Sequence, residues 1–384
     1  MPADVTHKVV PASAAVIGAL AFVLMGGVQA LYGPSLPGFS QHFGLPVSTV
    51  GLVISAHGLG ALAGVLGTIP LTAHPAGRYR TGAAVVLLAV GALTLALTTV
   101  WPVALLGALT VGMGYGVLTV GLNSLFAVSF GQRSAAMVNL LNAVFGMGAI
   151  LGPLLVGRAG GNVSGPFFIV ALGAGLLAPF AFSLDDRLPV PAARQEASID
   201  QGRSLLVGFL VLLALGVGLE ASSSGWNATY LVALGHTPAT AASFTSLFYL
   251  AFTAARLAAV PLSLRLSSST LVTASLTLAA VLLLLAQMPA LAPYMLAMLG
   301  GSVALLFPNT FTWLARTLPA ARGGTALMVA GALLGGALFP ALIGQAVAAF
   351  GERVLPNAML ALTVLALILA VWLLRMSRDL RRRR

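Results

Sequence analysis

Twelve stretches of almost unbroken apolar residues, most of them close to the length a helix needs to cross a bilayer, govern what this chain can become. They fall at about 10–32, 46–71, 81–100, 103–129, 135–157 and 166–184. After a polar run they resume at about 204–234, 240–264, 270–287, 292–315, 325–350 and 355–375. A helix rises about 1.5 Å per residue, so about 20 apolar residues span a hydrocarbon core roughly 30 Å thick; the third, sixth and ninth stretches are the short ones. In lipid every backbone N–H and C=O must find a partner within the protein, and a single apolar segment meets that demand as a helix. Only 7% of the 384 residues are charged, against roughly a quarter in a water-soluble domain. The chain is therefore expected to be an all-α polytopic membrane protein of twelve transmembrane helices. Its 44 glycines suit helices that must approach closely where lipid removes the hydrophobic drive to associate.

Basic residues orient the crossings. Sixteen of the 19 Lys and Arg fall on one side, among them Arg78, Arg80, Arg265 and the tail Arg381–Arg384. Arg158 and Arg353 fall on the other side, and Arg256 lies inside a segment. Cytoplasmic loops carry the excess of Lys and Arg, so both termini are expected in the cytoplasm, with the protein multi-pass in the cytoplasmic (inner) membrane. The net charge of +11 then reports topology, and the basic tail suits anionic lipid headgroups better than nucleic acid. No cleavage site of small residues follows the first apolar stretch, so no cleavable signal peptide is expected. There is no cysteine, which removes disulfides, thiol catalysis and Cys-based metal sites. No hydrolase triad, phosphate loop, metal-ligand spacing or cofactor fingerprint is present, and glycine patterns such as Gly107–Gly116 lie in apolar helices without a strand. Neither an enzyme, nor a metal, nor a cofactor is expected.

The chain is duplicated. Residues 185–203, DDRLPVPAARQEASIDQGR, form the one sustained polar run and divide residues 1–184 from 204–384, which reads as a cytoplasmic linker between two six-helix bundles. The sequence Gly148-Ala-Ile-Leu-Gly-Pro153-Leu-Leu-Val-Gly157 recurs as Gly335-Gly-Ala-Leu-Phe-Pro340-Ala-Leu-Ile-Gly344. The same offset carries Arg78 to Arg265 and Asn123 to Thr310, beside Asn309. Two pseudo-symmetric halves of this kind are the architecture of a large class of secondary transporters.

One acid stands apart. Of the eight Asp and Glu, Glu220 alone falls inside an apolar segment, near its middle. A charge at that depth costs about 2.5–3.5 kcal/mol on insertion scales, so it is expected to pair, to take up a proton, or to bind a polar solute. Helical spacing sets Gly216, Glu220, Ser223, Asn227 and Tyr230 on one face, which is expected to border an aqueous cavity, with Trp226 turned elsewhere.

Three passages carry a resemblance over essentially the whole chain. GLNSLFAVSFGQRSAAMVNLLNAVFGMGAILGPLL (121–155), GLEASSSGWNATYL (218–231) and FYLAFTAARLAAVPLSLRL (248–266) resemble helices 4–5, 7 and 8 of the major facilitator superfamily, within it the fucose-permease and glucose-transporter-like branch. The resemblance implies the major facilitator fold, no enzymatic activity, and helices 1, 5 and 11 lining a central cavity. There are departures. The loop after the second segment, GTIPLTAHPAGRYRTG, has Arg78 and Arg80 but lacks the family's usual acid. Helix 1 has Gln29 and Tyr32 where fucose permeases carry an acid, and Thr119 stands where they carry a glutamate. Coupling through Glu220, or no coupling, stays open.

The remaining candidates each have a plainer role beside the functional one. Asn139 and Asn142 share a face and suit a sugar's hydroxyls, or hydrogen bonds between helices. Asn123 and Asn309 lie on symmetry-related helices. Trp313, four residues past Asn309, offers an aromatic plane or an interfacial anchor, and Asn309 follows Pro308 and suits a kink. Trp226 and Asn227 suit an outer gate, and Arg78, Arg256 and Arg265 gating or structural ion pairs. Gln29 and Gln345 are cavity candidates. His57 suits a proton relay less well than a core histidine bonded to a carbonyl. The glycine–proline pattern at Gly146, Gly148, Gly152 and Pro153 resembles an exporter signature, yet its recurrence at 335–344 favours packing. The functional expectation is an alternating-access transporter, working as a monomer, of a small polar solute. A monosaccharide is favoured, moved as uniporter or proton symporter. Proton-coupled efflux of amphipathic compounds is the alternative, and a non-transporting sensor a distant third. A wholly anionic substrate is not expected, because no basic residue is placed at mid-depth.

Overall fold

The computed structural model describes residues 12–71, 79–130, 133–160, 162–184, 203–318 and 325–383. Twelve helices long and apolar enough to cross a membrane make up nearly all of this, and no strand occurs among the described residues. They are α1 (Ala12–Phe43), α2 (Leu52–Leu71, entered through the single turn Val47–Val50), α3 (Arg80–Leu97), α4 (Trp101–Ser129), α5 (Ser134–Arg158) and α6 (Ser164–Ala181). The second half holds α7 (Arg203–Ala233), α8 (Pro238–Arg265), α9 (Ser268–Leu285), α10 (Ala292–Val303 and Leu306–Thr317), α11 (Thr325–Phe350) and α12 (Leu355–Arg383). The three helices expected to be short, α3, α6 and α9, have 18 residues each. α1 runs past its expected end, through Pro34 and Pro37, to Phe43. Each proline removes one N–H, but ending the helix there would strand more backbone groups than it spares. α10 breaks between Val303 and Leu306, where Pro308 offers no N–H to the carbonyl of Ala304.

Packing repeats between the halves. α1 lies on α5 as α7 lies on α11; α2 lies on α4 as α8 lies on α10; α3 lies on α6 as α9 lies on α12. The halves meet through α2 on α11 and α5 on α8, a symmetric pair, and through α1 on α7. The duplicated glycines explain part of this. A Cβ on Gly148 would collide with the carbonyl oxygen of Val23 in α1, and one on Gly335 with that of Ala214 in α7. The repeated motif therefore marks the same close crossing in both bundles, where absent side chains let backbones touch. It reports packing, not the direction of transport.

Among the described residues, the two halves close on each other at one face. Call the terminal face the end where α1 begins and α12 finishes. At the opposite face, a Cβ on Gly33 of α1 would strike the carbonyl oxygen of Ser224 in α7. One on Gly58 of α2 would lie 2.9 Å from Ala337 Cα of α11. The Ser246 hydroxyl of α8 donates to the Ile150 carbonyl of α5 at 2.6 Å. Trp226, fully buried, fills the seam: its ring fits where Gly51 has no side chain, and a Cβ on Gly344 would come within 3.1 Å of it. The Trp226 indole N–H donates to the Pro340 carbonyl at 3.1 Å. Toward the terminal face the same helices splay, and a cavity opens between them.

Candidate functional site

The cavity holds about 800 Å³ between the halves. Its blind end, under the seam, is formed by Tyr32 and Gly33 of α1, Ile54 and His57 of α2, Tyr115 of α4, Ser224 and Gly225 of α7, Tyr249 of α8 and Gly336 of α11. Its wider part carries Gln29, Asn123, Asn139, Asn142, Arg256, Asn309 and Thr312, reaching Ser263 and Val329 near the terminal face. Glu220 lies between the two levels.

Three of the four cavity asparagines share one geometry. Asn123 donates its Nδ2 to the Thr119 carbonyl (2.8 Å), Asn142 to Val138 (2.9 Å) and Asn309 to Leu305 (2.8 Å), each one turn back on its own helix. Their Oδ1 atoms accept no hydrogen bond from the described protein. Asn123 and Asn309 do this on the symmetry-related helices α4 and α10, so each half presents an equivalent acceptor. At α10 the Leu305 carbonyl also accepts the Asn309 backbone N–H at 3.3 Å, so the side-chain amide adds a second bond beside the helix break, in keeping with the kink role expected of it.

Glu220 and Arg256, on adjacent helices, both face the cavity and interact electrostatically, yet no salt bridge joins them among the described residues. The Arg256 guanidinium lies 4.2 Å over the Phe252 ring, and its buried Nε has no partner. A basic side chain therefore reaches the wider part of the cavity, from the half of α8 nearer the terminal face. Two charges left unpaired in a largely apolar chamber are costly unless water or a solute completes their hydrogen bonding.

The polar stripe of α7 points elsewhere than expected. Of its members only Glu220 reaches the cavity. Gly216 abuts Leu306 of α10, and the Ser223 hydroxyl donates to Met359 Sδ of α12 at 3.8 Å. The Tyr230 hydroxyl donates to the Ala286 carbonyl, just past α9, at 3.1 Å. Asn227 is buried with neither amide atom partnered. The cavity face is Val217, Glu220, Ala221, Ser224 and Gly225, about a quarter-turn round the helix. Small and polar residues serve the seams between helices in lipid, so a polar stripe marks a packed face as readily as a wet one.

Three more candidates lie off the cavity. Trp313 is buried edge-on against Phe209 of α7, ring centroids 5.0 Å apart; it turns into its own half. Gln345 is exposed, because α11 leaves the cavity after Gly336 to pack on α2. Trp226 lies in the seam rather than in the chamber. Arg265 is exposed in the last turn of α8. Arg78 and the run 185–202 lie outside the described residues.

Residue reading undervalued the blind end. His57 makes no bond to a carbonyl. Its buried Nδ1 has no partner, and its ring sits between those of Tyr32 and Tyr115, 5.1 Å from each. Tyr115 and Tyr249 line the blind end as well, and little in the sequence marks them. A single tyrosine in the middle of an apolar helix was the available signal, and nothing in its spacing says which neighbour it faces.

Comparison with known proteins agrees with this architecture. A mouse (Mus musculus) protein, sodium-dependent glucose transporter 1A, is 23% identical over 370 residues, covering 84% of this chain and 87% of its own. The nucleoside transporter NupG superposes with a TM-score of 0.73 at 16% identity, over 95% of this chain and 98% of its own. A D-xylose–proton symporter gives 0.72 at 14% identity, over 93% and 96%. Likeness at these identities speaks for the fold alone. The family model of the Major Facilitator Superfamily matches residues 18–231. With the duplicated bundles and the cavity between them, this shows a membrane transporter rather than an enzyme: the chain belongs to the Major Facilitator Superfamily.

Proposed function

We propose that the protein moves a monosaccharide, or a solute of similar size and hydroxyl content, by alternating access, as uniporter or proton symporter, with Glu220 as the group that binds the proton, the solute or both. The observation that carries this is the chamber's polar chemistry. Asn123, Asn142 and Asn309 each commit one Nδ2 hydrogen to their own helix, line the cavity, and have Oδ1 atoms that accept nothing from the described protein, so each can offer an acceptor and a second donor to a solute. Glu220 adds another acceptor, and a polyol brings hydroxyl donors to all four. The names of two similar proteins, a glucose transporter and a xylose–proton symporter, lend support. With both termini in the cytoplasm of an inner membrane, as the basic residues argue, the chamber opens inward in this state. Trp226 then belongs to the outer gate. The protein works as a monomer among lipids, needing no cofactor.

Counterflow of labelled D-glucose, D-xylose and L-fucose into proteoliposomes, with and without a pH gradient, is the test. Saturable counterflow of at least one is expected. For a symporter, Glu220→Gln abolishes accumulation driven by the gradient while leaving counterflow; for a uniporter the gradient has no effect on either protein. No counterflow of any sugar, with a proton leak driven by amphipathic drugs, would replace this reading with efflux.

A further inference from the structure

The geometry points to His57, with the hydroxyls of Tyr32 and Tyr249, as the group that seats the solute at the blind end of the cavity and sets its specificity for a compact polyhydroxylated ring. This rests on the transport reading above and assigns the solute's place within it.

Three observations carry the assignment. First, the polar atoms there lack partners. Tyr32 Oη and His57 Nδ1 have none, and Tyr249 Oη lacks a well-formed bond although Ser224 is beside it. All three residues line the cavity and are at least nine-tenths buried. Polar groups buried without partners destabilise a protein, and cores satisfy nearly all of theirs. Unlike the unpartnered Asn227, which lies off the cavity, these three residues line it, so a solute seated against them can complete their hydrogen bonding as the site adjusts around it. Tyrosine hydroxyls donate and accept, and neutral imidazole does one at each nitrogen, so they match hydroxyl groups of either polarity.

Second, the rings form a cup rather than a slot. Tyr32 and His57 are inclined at 56°, and His57 and Tyr115 at 68°. No parallel pair here could sandwich a planar heterocycle. A puckered ring projects hydroxyls in several directions, which suits hydrogen-bonding groups carried on rings set at such steep angles. Third, the donors come from both halves, Tyr32 and His57 from α1 and α2, Tyr249 from α8. A solute bonded to all three bridges the halves directly beneath the contact of Gly33 with Ser224 and Gly225.

The test is calorimetric titration of the detergent-purified full chain with D-glucose, each of its monodeoxy analogues, and uridine. His57→Phe keeps the packed ring and removes both nitrogens; Tyr32→Phe and Tyr249→Phe each remove one hydroxyl. The native protein is expected to bind D-glucose, to lose affinity at least fivefold for one or more deoxy analogues, and not to bind uridine. His57→Phe should weaken D-glucose at least tenfold with Tm unchanged, and should erase the preference over one deoxy analogue. His57→Gln, which restores a donor and an acceptor, should recover part of the affinity. D-glucose binding equally to native protein, His57→Phe and both tyrosine variants overturns the assignment and leaves sugar transport standing. Uridine binding more tightly than D-glucose overturns the specificity claimed. A native protein that binds no sugar overturns the assignment and the sugar reading together. Should His57→Phe fail to fold, the two tyrosine variants decide by the same criteria.

Discussion

Glu220 shows how far one residue can be read without its neighbours. Its isolation in the sequence marks it, and the structure adds what isolation could not: an arginine on the next helix that shares the cavity without closing on it. The asparagines are more informative about the solute. Asn123, Asn142 and Asn309 each have one end fixed to their own helix, so truncation removes one acceptor from the chamber while the helix carbonyl keeps its backbone N–H. One neutral hydrogen bond is worth about 1 kcal/mol, so Asn123→Ala and Asn309→Ala should each raise the KM for sugar counterflow about fivefold. The maximal rate should change less. An unchanged KM in both would place the solute away from the asparagines. Legibility at this scale follows from how a residue type constrains its surroundings. A carboxylate or an amide inside an apolar segment stands out in the sequence, and Glu220, Asn123, Asn139, Asn142 and Asn309 all line the cavity; Asn227, equally visible, is buried off it. Residue type does not give direction: where Asn227, Trp313 and Gln345 point depends on which helix lies beside them. His57 looked like a core residue for the same reason.

At the scale of the helix, periodicity fixed which residues share a face but not where that face points. The α7 stripe from Gly216 to Tyr230 is real; it serves α10, α12 and the end of α9, while Val217 and Ser224 face the solute path. Glycines were the better guide, because a missing side chain at a crossing has one use in a packed bundle. Gly33 tests this. It lets α1 rest on the backbone of α7 at the sealed face, and any side chain there must push the two apart. Gly33→Val should hold that face open, since interfaces of this kind switch between discrete packings. The chain has no cysteine, so a single Ala337→Cys, buried in the seam against Gly58, reports opening cleanly. A polar thiol reagent should label it at least tenfold faster in the Gly33→Val background. Equal labelling, in a protein that stays folded, would show that the α1–α7 contact does not govern the seal.

For the whole molecule, the architecture was legible almost in full, because bilayer thickness sets helix length and duplication sets the pairing of helices. What the sequence could not tell is which face is closed: both arrangements bury the same helices and differ only in which ends touch. Alternating access requires that the closed and open faces exchange when solute binds. Spin-label distances test this most directly, with one pair, Thr99→Cys and Gln287→Cys, at exposed positions on the sealed face and another, Arg133→Cys and Ser267→Cys, at exposed positions on the terminal face. In proteoliposomes with saturating D-glucose, the first distance should gain a longer population while the second gains a shorter one. Distances that stay fixed at both faces, or that lengthen or shorten together, would contradict alternating access in this protein.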